Sequence, residues 1–98
     1  MNFNEQVLEL CKKIPRGKIT TYKILAEALN TKAYRAVGNA LKKNKHPDII
    51  PCFKVVKTNG EIGGFATGTK HKIKLLQEEG IELKNNKIVD FEKRLYRF

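Results

Sequence analysis

Two side chains of this sequence can act as soft nucleophiles, the thiols of Cys11 and Cys52. A thiolate attacks electrophilic carbon, whereas a protonated thiol in a protein core behaves as a small apolar group. Cys11 shares a helical stripe with Val7 and Ile14, and this placement favours the buried, unreactive state. Cys52 directly follows Pro51 at the start of an apolar run, so it is compatible with a core position or with a nucleophile.

The cysteines and histidines do not form a metal-binding pattern. Zinc sites use pairs of these residues a few positions apart, and Cys11, Cys52, His46 and His71 show no such spacing. Two cysteines are also too few for the disulfide framework of a small secreted protein. The sequence therefore predicts no metal and no cofactor.

A strong positive charge indicates the class of partner. Twenty Lys and Arg against ten Asp and Glu leave +10 on a chain of 98 residues. Such a surface attracts polyanions, so DNA or RNA is the first candidate. No apolar run approaches the ~18 residues of a membrane span, and residues 1–5 lack the pattern of a signal peptide. We expect one cytoplasmic domain over residues 1–98, monomeric and without membrane contact.

Three helices are predicted in the first half of the chain. The first begins near Phe3 and stops at Pro15, and the second is capped by Thr20 or Thr21 and ends near Asn30. The third, over about residues 32–43, follows so closely that the pair has the proportions of a helix-turn-helix.

The third helix has a polar outer face. Arg35, Asn39 and Lys42 recur there at helical spacing, and the small residues Ala36 and Gly38 would let the helix approach a nucleic-acid backbone closely. The alternative is a helical hairpin whose charged face is only solvated.

The second half combines a helix with short strands. Residues 49–56 are predicted to become a strand once past Pro51, and Asn59-Gly60 is typical of a type I′ hairpin turn. A helix that passes through Leu76 is closed by Gly80. Residues 81–83 and 88–91 are expected to pair across Asn85-Asn86, and the tail, 92–98, is ambiguous. The predicted class is mainly α with a small β element.

Four separated elements occur in a characteristic order: residues 35–41 (RAVGNAL), Asn44, Pro51-Cys52 and residues 75–80 (LLQEEG). Together they resemble the 6-O-alkylguanine-DNA alkyltransferases, also called methylated-DNA protein-cysteine methyltransferases, over nearly the whole chain. The resemblance implies a winged-helix-like domain containing a helix-turn-helix. It also implies a cysteine that takes the alkyl group from a flipped guanine irreversibly.

The resemblance implies a role for each matching residue. Cys52 is the nucleophile, Glu79 is the acid that orients the base, and Asn44 braces the active-site turn. Arg35 fills the gap left by the flipped nucleotide, and Tyr22 contacts phosphate and helps to rotate the base.

Two groups of side chains are then expected to surround the substrate. The expected DNA-binding residues are Arg35, Tyr22, Ala36, Gly38, Asn39, Lys42 and Lys43. The expected pocket for the base and its alkyl group comprises Tyr22, Pro51, Val55, Phe65, Ala66 and Thr67.

The sequence departs from the pattern of the family at several positions. Phe53 stands where the resemblance implies the histidine that relays a proton from the cysteine, which leaves Glu79 with no obvious partner. Lys54 stands in place of an arginine and Phe65 in place of a tyrosine. The N-terminal domain common in the family is expected to be absent.

Three functions remain open on this basis. The favoured one is DNA repair by direct reversal, in which the alkyl group of 6-O-methylguanine in double-stranded DNA moves to Cys52. The second is a non-enzymatic sensor that binds alkylguanine in DNA and recruits other repair. The third is a plain winged-helix DNA-binding regulator, which would not need the Asn44, Pro51 and Cys52 constellation.

Overall fold

The computed structural model describes residues 1–46, 49–63 and 68–98. Helices and short strands alternate along the chain: α1 Phe3–Lys12, β1 Thr20–Thr21, α2 Tyr22–Ala28, α3 Tyr34–Lys42, a 3-10 turn Cys52–Lys54, β2 Val55–Val56, α4 Thr69–Glu78, β3 Leu83–Lys84, β4 Lys87–Ile88 and α5 Phe91–Arg94. Within the described residues, no helix is long and apolar enough to cross a membrane.

Side-chain caps set the beginnings of the first two helices. Asn2 accepts a hydrogen bond from the backbone N–H of Glu5 at 2.8 Å at the start of α1. Thr21 accepts one from the N–H of Ile24 at 3.1 Å, which identifies Thr21 rather than Thr20 as the cap of α2. The predicted helix pair is confirmed, and α2 and α3 pack against each other and against β1 and α1 respectively.

A parallel strand pair joins the helix-turn-helix to the Cys52 turn, which is the name used below for residues Cys52–Lys54. Thr20 pairs with Val55 and Thr21 with Val56. Because α2 begins immediately after β1 and the Cys52 turn ends immediately before β2, this short pairing fixes the start of α2 against the turn.

The strand predicted to begin after Pro51 is wrong for its first three residues. Cys52–Lys54 forms a 3-10 turn, and only Val55–Val56 is strand. The backbone N–H of Cys52 bonds to the carbonyl of Ile50 at 2.8 Å, and that of Lys54 to the carbonyl of Pro51 at 3.1 Å. These local bonds replace the ladder bonds of a strand, since the ring of Pro51 restricts the backbone and supplies no N–H.

The two predicted tight turns differ in outcome. At Asn85-Asn86 both residues have positive φ, 53° and 62°, and connect antiparallel β3 and β4 as predicted. At Asn59-Gly60 only Gly60 has a positive φ, 88°, so the predicted type I′ turn is wrong. The N–H of Gly60 bonds back to the carbonyl of Lys57 at 2.9 Å instead.

The tail, ambiguous in sequence, is held against the body of the domain. After α5, Leu95 forms a parallel bridge with Ile19. The N–H of Ile19 donates to the carbonyl of Arg94 at 2.9 Å, and the N–H of Tyr96 donates to the carbonyl of Ile19 at 2.7 Å.

Two apolar clusters form the core, one on each side of the Cys52 turn. The first contains Val7, Cys11, Leu25, Ala26, Val37, Ala40, Leu41, Cys52 and Val55. The second contains Ile19, Phe53, Val56, Ile62, Leu76, Ile81 and Ile88. Successive residues of the turn therefore enter different clusters, Cys52 the first and Phe53 the second.

Candidate active site and DNA-binding surface

The side chain of Asn44 braces the Cys52 turn. Its Nδ2 donates to the carbonyl of Ile50 at 3.0 Å and to Sγ of Cys52 at 3.3 Å. Its Oδ1 accepts from the backbone N–H of His46 at 2.9 Å. One buried amide thus ties the end of α3, the following loop and the thiol together, and both ends of the amide are satisfied.

Cys52 is buried, with 6% of its surface exposed. Burial raises the pKa of its thiol, while the hydrogen bond from Asn44, the charge of Lys72 and the backbone N–H of Cys52 itself lower it. Burial prevails, so the thiol is mostly protonated at neutral pH. Cys11 is buried deeper in the same cluster, and burial raises its pKa to about 12.

The cation that acts on Cys52 is Lys72, which the sequence analysis did not single out. Lys72 is 1% exposed, and its Nζ donates to the carbonyl of Val55 at 2.8 Å and to that of Ile62. Burial lowers its pKa to about 8, against the opposing effect of Cys52. The signal in the sequence is a lysine one helical turn before the buried Leu76, where α4 would otherwise have an apolar residue.

Tyr22 stands near the same thiol. It is the first residue of α2, is half-buried, and packs against the first core cluster, to which Cys52 belongs. A Cβ built on Gly63 would lie 3.5 Å from the Tyr22 hydroxyl, so that hydroxyl borders the segment after β2. Burial, and then the nearby Cys52, raise the pKa of Tyr22, which keeps its O–H protonated at neutral pH.

The outward face of α3 is basic and open. Arg35, Asn39, Lys42 and Lys43 are exposed, and a Cβ built on Gly38 would meet nothing within 4 Å. Ala36 is half-buried beside them. The inward face buries Val37, Ala40 and Leu41 in the first core cluster. Since the loop after α3 carries Asn44, this face continues directly into the bracing of the Cys52 turn.

Comparison with known proteins decides which family has this arrangement. The family model of the DNA-binding domain of 6-O-methylguanine DNA methyltransferase matches residues 2–81. The chain belongs to this family. A methylated-DNA–protein-cysteine methyltransferase of Saccharolobus islandicus is 47% identical over 81 residues, which cover 83% of this chain and 52% of that protein. A bifunctional methyltransferase/endonuclease of Picrophilus torridus is 42% identical over 90 residues, covering 91% of this chain and 29% of that protein. The chain thus spans about half, or less, of these curated relatives.

Solved structures of the methyltransferase family have the same fold. The O6-methylguanine-DNA methyltransferase of the archaeon Pyrococcus kodakaraensis superposes with a TM-score of 0.76 at 43% identity, covering 83% of this chain and 47% of that one. The Mycobacterium tuberculosis OGT in complex with DNA gives 0.78 at 31% identity, covering 82% and 49%. The S. pombe Atl1 bound to damaged DNA containing O6-carboxymethylguanine gives 0.83 at 23% identity, covering 98% and 95%, a similarity of fold alone. These neighbours confirm the predicted, mainly helical helix-turn-helix fold.

In this methyltransferase-family domain Glu79 does have a partner, contrary to the expectation from sequence. Its Oε1 lies 2.7 Å from Nζ of Lys54, and it also accepts from the backbone N–H of Gly17 at 2.9 Å. Lys54 donates further to the carbonyl of Pro15 at 3.1 Å and to that of Ile14 at 3.4 Å. The pair connects the Cys52 turn to the end of α4 and to the segment after α1.

Phe53 lies on the other side of the turn from the thiol. It is buried in the second core cluster, and the ring centroid is 5.8 Å from Nζ of Lys54, within the range of a cation–π contact. An aromatic ring fits this position because its neighbours are aliphatic side chains and one lysine.

The expected pocket is described in part. Pro51 is half-buried beside the thiol, and Val55 is fully buried in the first cluster. Phe65, Ala66 and Thr67 lie outside the described residues. In the part of the chain that the structure describes, no three His, Cys, Asp or Glu side chains are arranged to hold a metal ion.

Proposed function

We propose that this domain repairs DNA by direct reversal, moving the alkyl group of 6-O-alkylguanine in duplex DNA to Cys52. The observation that carries the proposal is the Asn44 amide, which holds both the Cys52 turn and the sulfur itself. In the reaction the thiolate bonds to the alkyl carbon, and the carbon–oxygen bond breaks with its electron pair on guanine. Guanine then takes up one proton. The thioether is stable, so each molecule acts once.

Each nearby group has a part in this proposal. Lys72 supplies a fixed positive charge that favours the thiolate, and Tyr22 keeps a protonated hydroxyl that can donate to the guanine. Glu79 acts as a positioning residue, because it holds Lys54 and Gly17 and thereby the turn that carries Cys52. The test is transfer of one methyl group to Cys52, whose expected result opens the Discussion.

The buried thiol requires the base to leave the helix. A guanine stacked in duplex DNA cannot place its alkyl group against the sulfur of a cysteine that is only 6% exposed. Extrusion costs roughly a few kcal/mol, which protein contacts must offset. We propose that Arg35 fills the vacated gap, while Asn39, Lys42 and Lys43 contact the phosphate backbone.

Arg35→Ala is expected to weaken binding to DNA containing 6-O-methylguanine by roughly tenfold, because the flipped state loses its filler. Lys42→Ala should weaken binding to damaged and undamaged duplexes alike. It should also reduce the slope of the logarithm of the binding constant against the logarithm of the salt concentration by about one, because one phosphate contact is lost. Fluorescence anisotropy titrations at several salt concentrations separate the two effects. Equal losses on both duplexes for both variants would remove the assignment of Arg35 to the gap.

The transfer rate is expected to rise about tenfold per pH unit between pH 6 and 8. The reason is that burial puts the pKa of Cys52 above its ordinary value, so the thiolate fraction grows with pH over this window. Lys72→Met removes the charge that lowers this pKa and should slow transfer at pH 7. The slope should flatten above about pH 8, where Lys72 itself loses its charge.

Single-turnover transfer of a labelled methyl group, followed from pH 6 to 9, measures this profile. Lys70→Met is the matched control, since Lys70 is an exposed lysine of the same helix. A rate that is flat between pH 6 and 8 would contradict the raised pKa of Cys52, because the thiolate would already be formed below this window. An equal loss in the two variants would show that Lys72 does not act on the thiol.

The second candidate function is a lesion sensor without transfer. The buried thiol with its raised pKa favours this alternative, because burial keeps the nucleophile protonated. A sensor would bind the damaged duplex with the same Arg35 dependence but leave Cys52 unmodified.

A further inference from the structure

The first turn of α3 presents an aromatic ring on an otherwise polar surface. Tyr34 begins α3 and is 44% exposed, and the next residue is the exposed Arg35. No hydrogen bond engages the Tyr34 hydroxyl within residues 1–46, 49–63 and 68–98. The ring is thus partly exposed, and it belongs to the residue that precedes Arg35, whose side chain is assigned to the gap in the DNA.

Helical spacing places this ring on the proposed DNA-binding face. Tyr34, Gly38 and Lys42 are separated by four residues each and lie along one side of α3, next to the row formed by Arg35 and Asn39. The first turn contains no acidic residue that would repel a polyanion. Gly38, one turn further on, leaves open space, so a nucleic acid can come close enough to reach the ring.

The other large exposed apolar side chains of the described residues do not lie on the proposed DNA-binding face of α3. Met1 and Phe98 are the terminal residues, and Phe98 packs edge-on against Tyr96 with ring centroids 5.2 Å apart. Ile49 is exposed in the loop before the Cys52 turn, but it has no ring that could stack. Tyr34 alone among these four is an aromatic residue of α3.

Extrusion of a nucleotide exposes three bases: the two that flanked it and the partner left without a pair. A guanidinium is planar, so Arg35 in the gap can cover the two flanking bases with its two faces. We propose that Tyr34 stacks on the third, the unpaired partner base, and so stabilises the flipped state together with Arg35. The proposal rests on the proposed base extrusion and adds a second protein group to it.

The test uses a duplex in which pyrrolocytosine, a fluorescent cytosine whose emission is quenched by stacking, lies opposite 6-O-methylguanine. The protein carries Cys52→Ser so that the complex persists. Tyr34→Ala should raise the fluorescence of the complex and weaken lesion binding by about tenfold, the usual effect of losing one base–aromatic stack. Binding to undamaged duplex should change by less than twofold. Tyr34→Phe should restore both readouts, because the ring remains.

Phe98→Ala removes an aromatic residue of similar exposure, 40%, and serves as the control. It should leave the fluorescence and the lesion affinity of the Cys52→Ser protein unchanged. If Tyr34→Ala keeps the fluorescence and the lesion affinity while Arg35→Ala loses affinity, the stacking role is overturned and base extrusion stands. If neither variant affects lesion binding, and the protein that retains Cys52 gains no methyl group, the proposed function itself fails.

Discussion

Incubation with duplex DNA containing 6-O-methylguanine is expected to add one methyl group to Cys52 and none to Cys11. Of the two cysteines, only Cys52 combines a bracing amide with a nearby ammonium group. Cys11 lies in the last turn of α1, fully buried, with a pKa of about 12. Intact mass followed by peptide mapping locates the methyl group.

Stoichiometry and variants make this result decisive. The added mass should saturate at one methyl group per protein, since the thioether cannot turn over. Cys52→Ala should abolish transfer, whereas Cys11→Ser should retain it. Lesion binding without any methylated peptide after prolonged incubation at pH 8 would favour the sensor over the enzyme.

Loss of the charge on Glu79 is expected to give the largest stability effect. Lys54 and Glu79 are 4% and 13% exposed, and Glu79→Gln leaves the Lys54 ammonium buried without its counter-charge. We expect a loss of about 3 kcal/mol in the free energy of unfolding, at the lower end of the range for breaking a buried pair. Urea unfolding at pH 7 measures it.

A surface ion pair of the same chain supplies the control. Glu9 and Lys12 are 48% and 45% exposed, so Glu9→Gln should cost at most about 1 kcal/mol. The double variant Lys54→Met with Glu79→Leu should recover much of the loss, because no unpaired charge remains. Equal destabilisation by Glu9→Gln and Glu79→Gln would show that the buried pair does not hold the turn.

Local sequence signals determined most of the helical framework. The apolar periodicity of α1 to α3, the cap at Thr21 and the paired asparagines at the β3–β4 turn depend on neighbours within four residues, and these features formed as predicted. The motif of residues 35–41, Asn44, Pro51 and Cys52 also identified the family, because it is a pattern of residue types and spacings that the sequence itself contains. Asn44 donates to the carbonyl of Ile50 and to Sγ of Cys52, and its role in the reaction stays a prediction.

What the tertiary structure alone decided concerns the surroundings of Cys52. The strand predicted after Pro51 is confined to Val55–Val56, the two residues that pair with β1. Asn59-Gly60 forms a turn closed by the bond from Gly60 to Lys57. The partner of Glu79 is Lys54, and the ammonium near the thiol belongs to Lys72. Both depend on α4 packing against the Cys52 turn, about 20 residues away in sequence. A buried charge is stable only beside a counter-charge or hydrogen-bonding carbonyls. Tertiary packing, rather than spacing along the chain, determines which of these groups lie next to it.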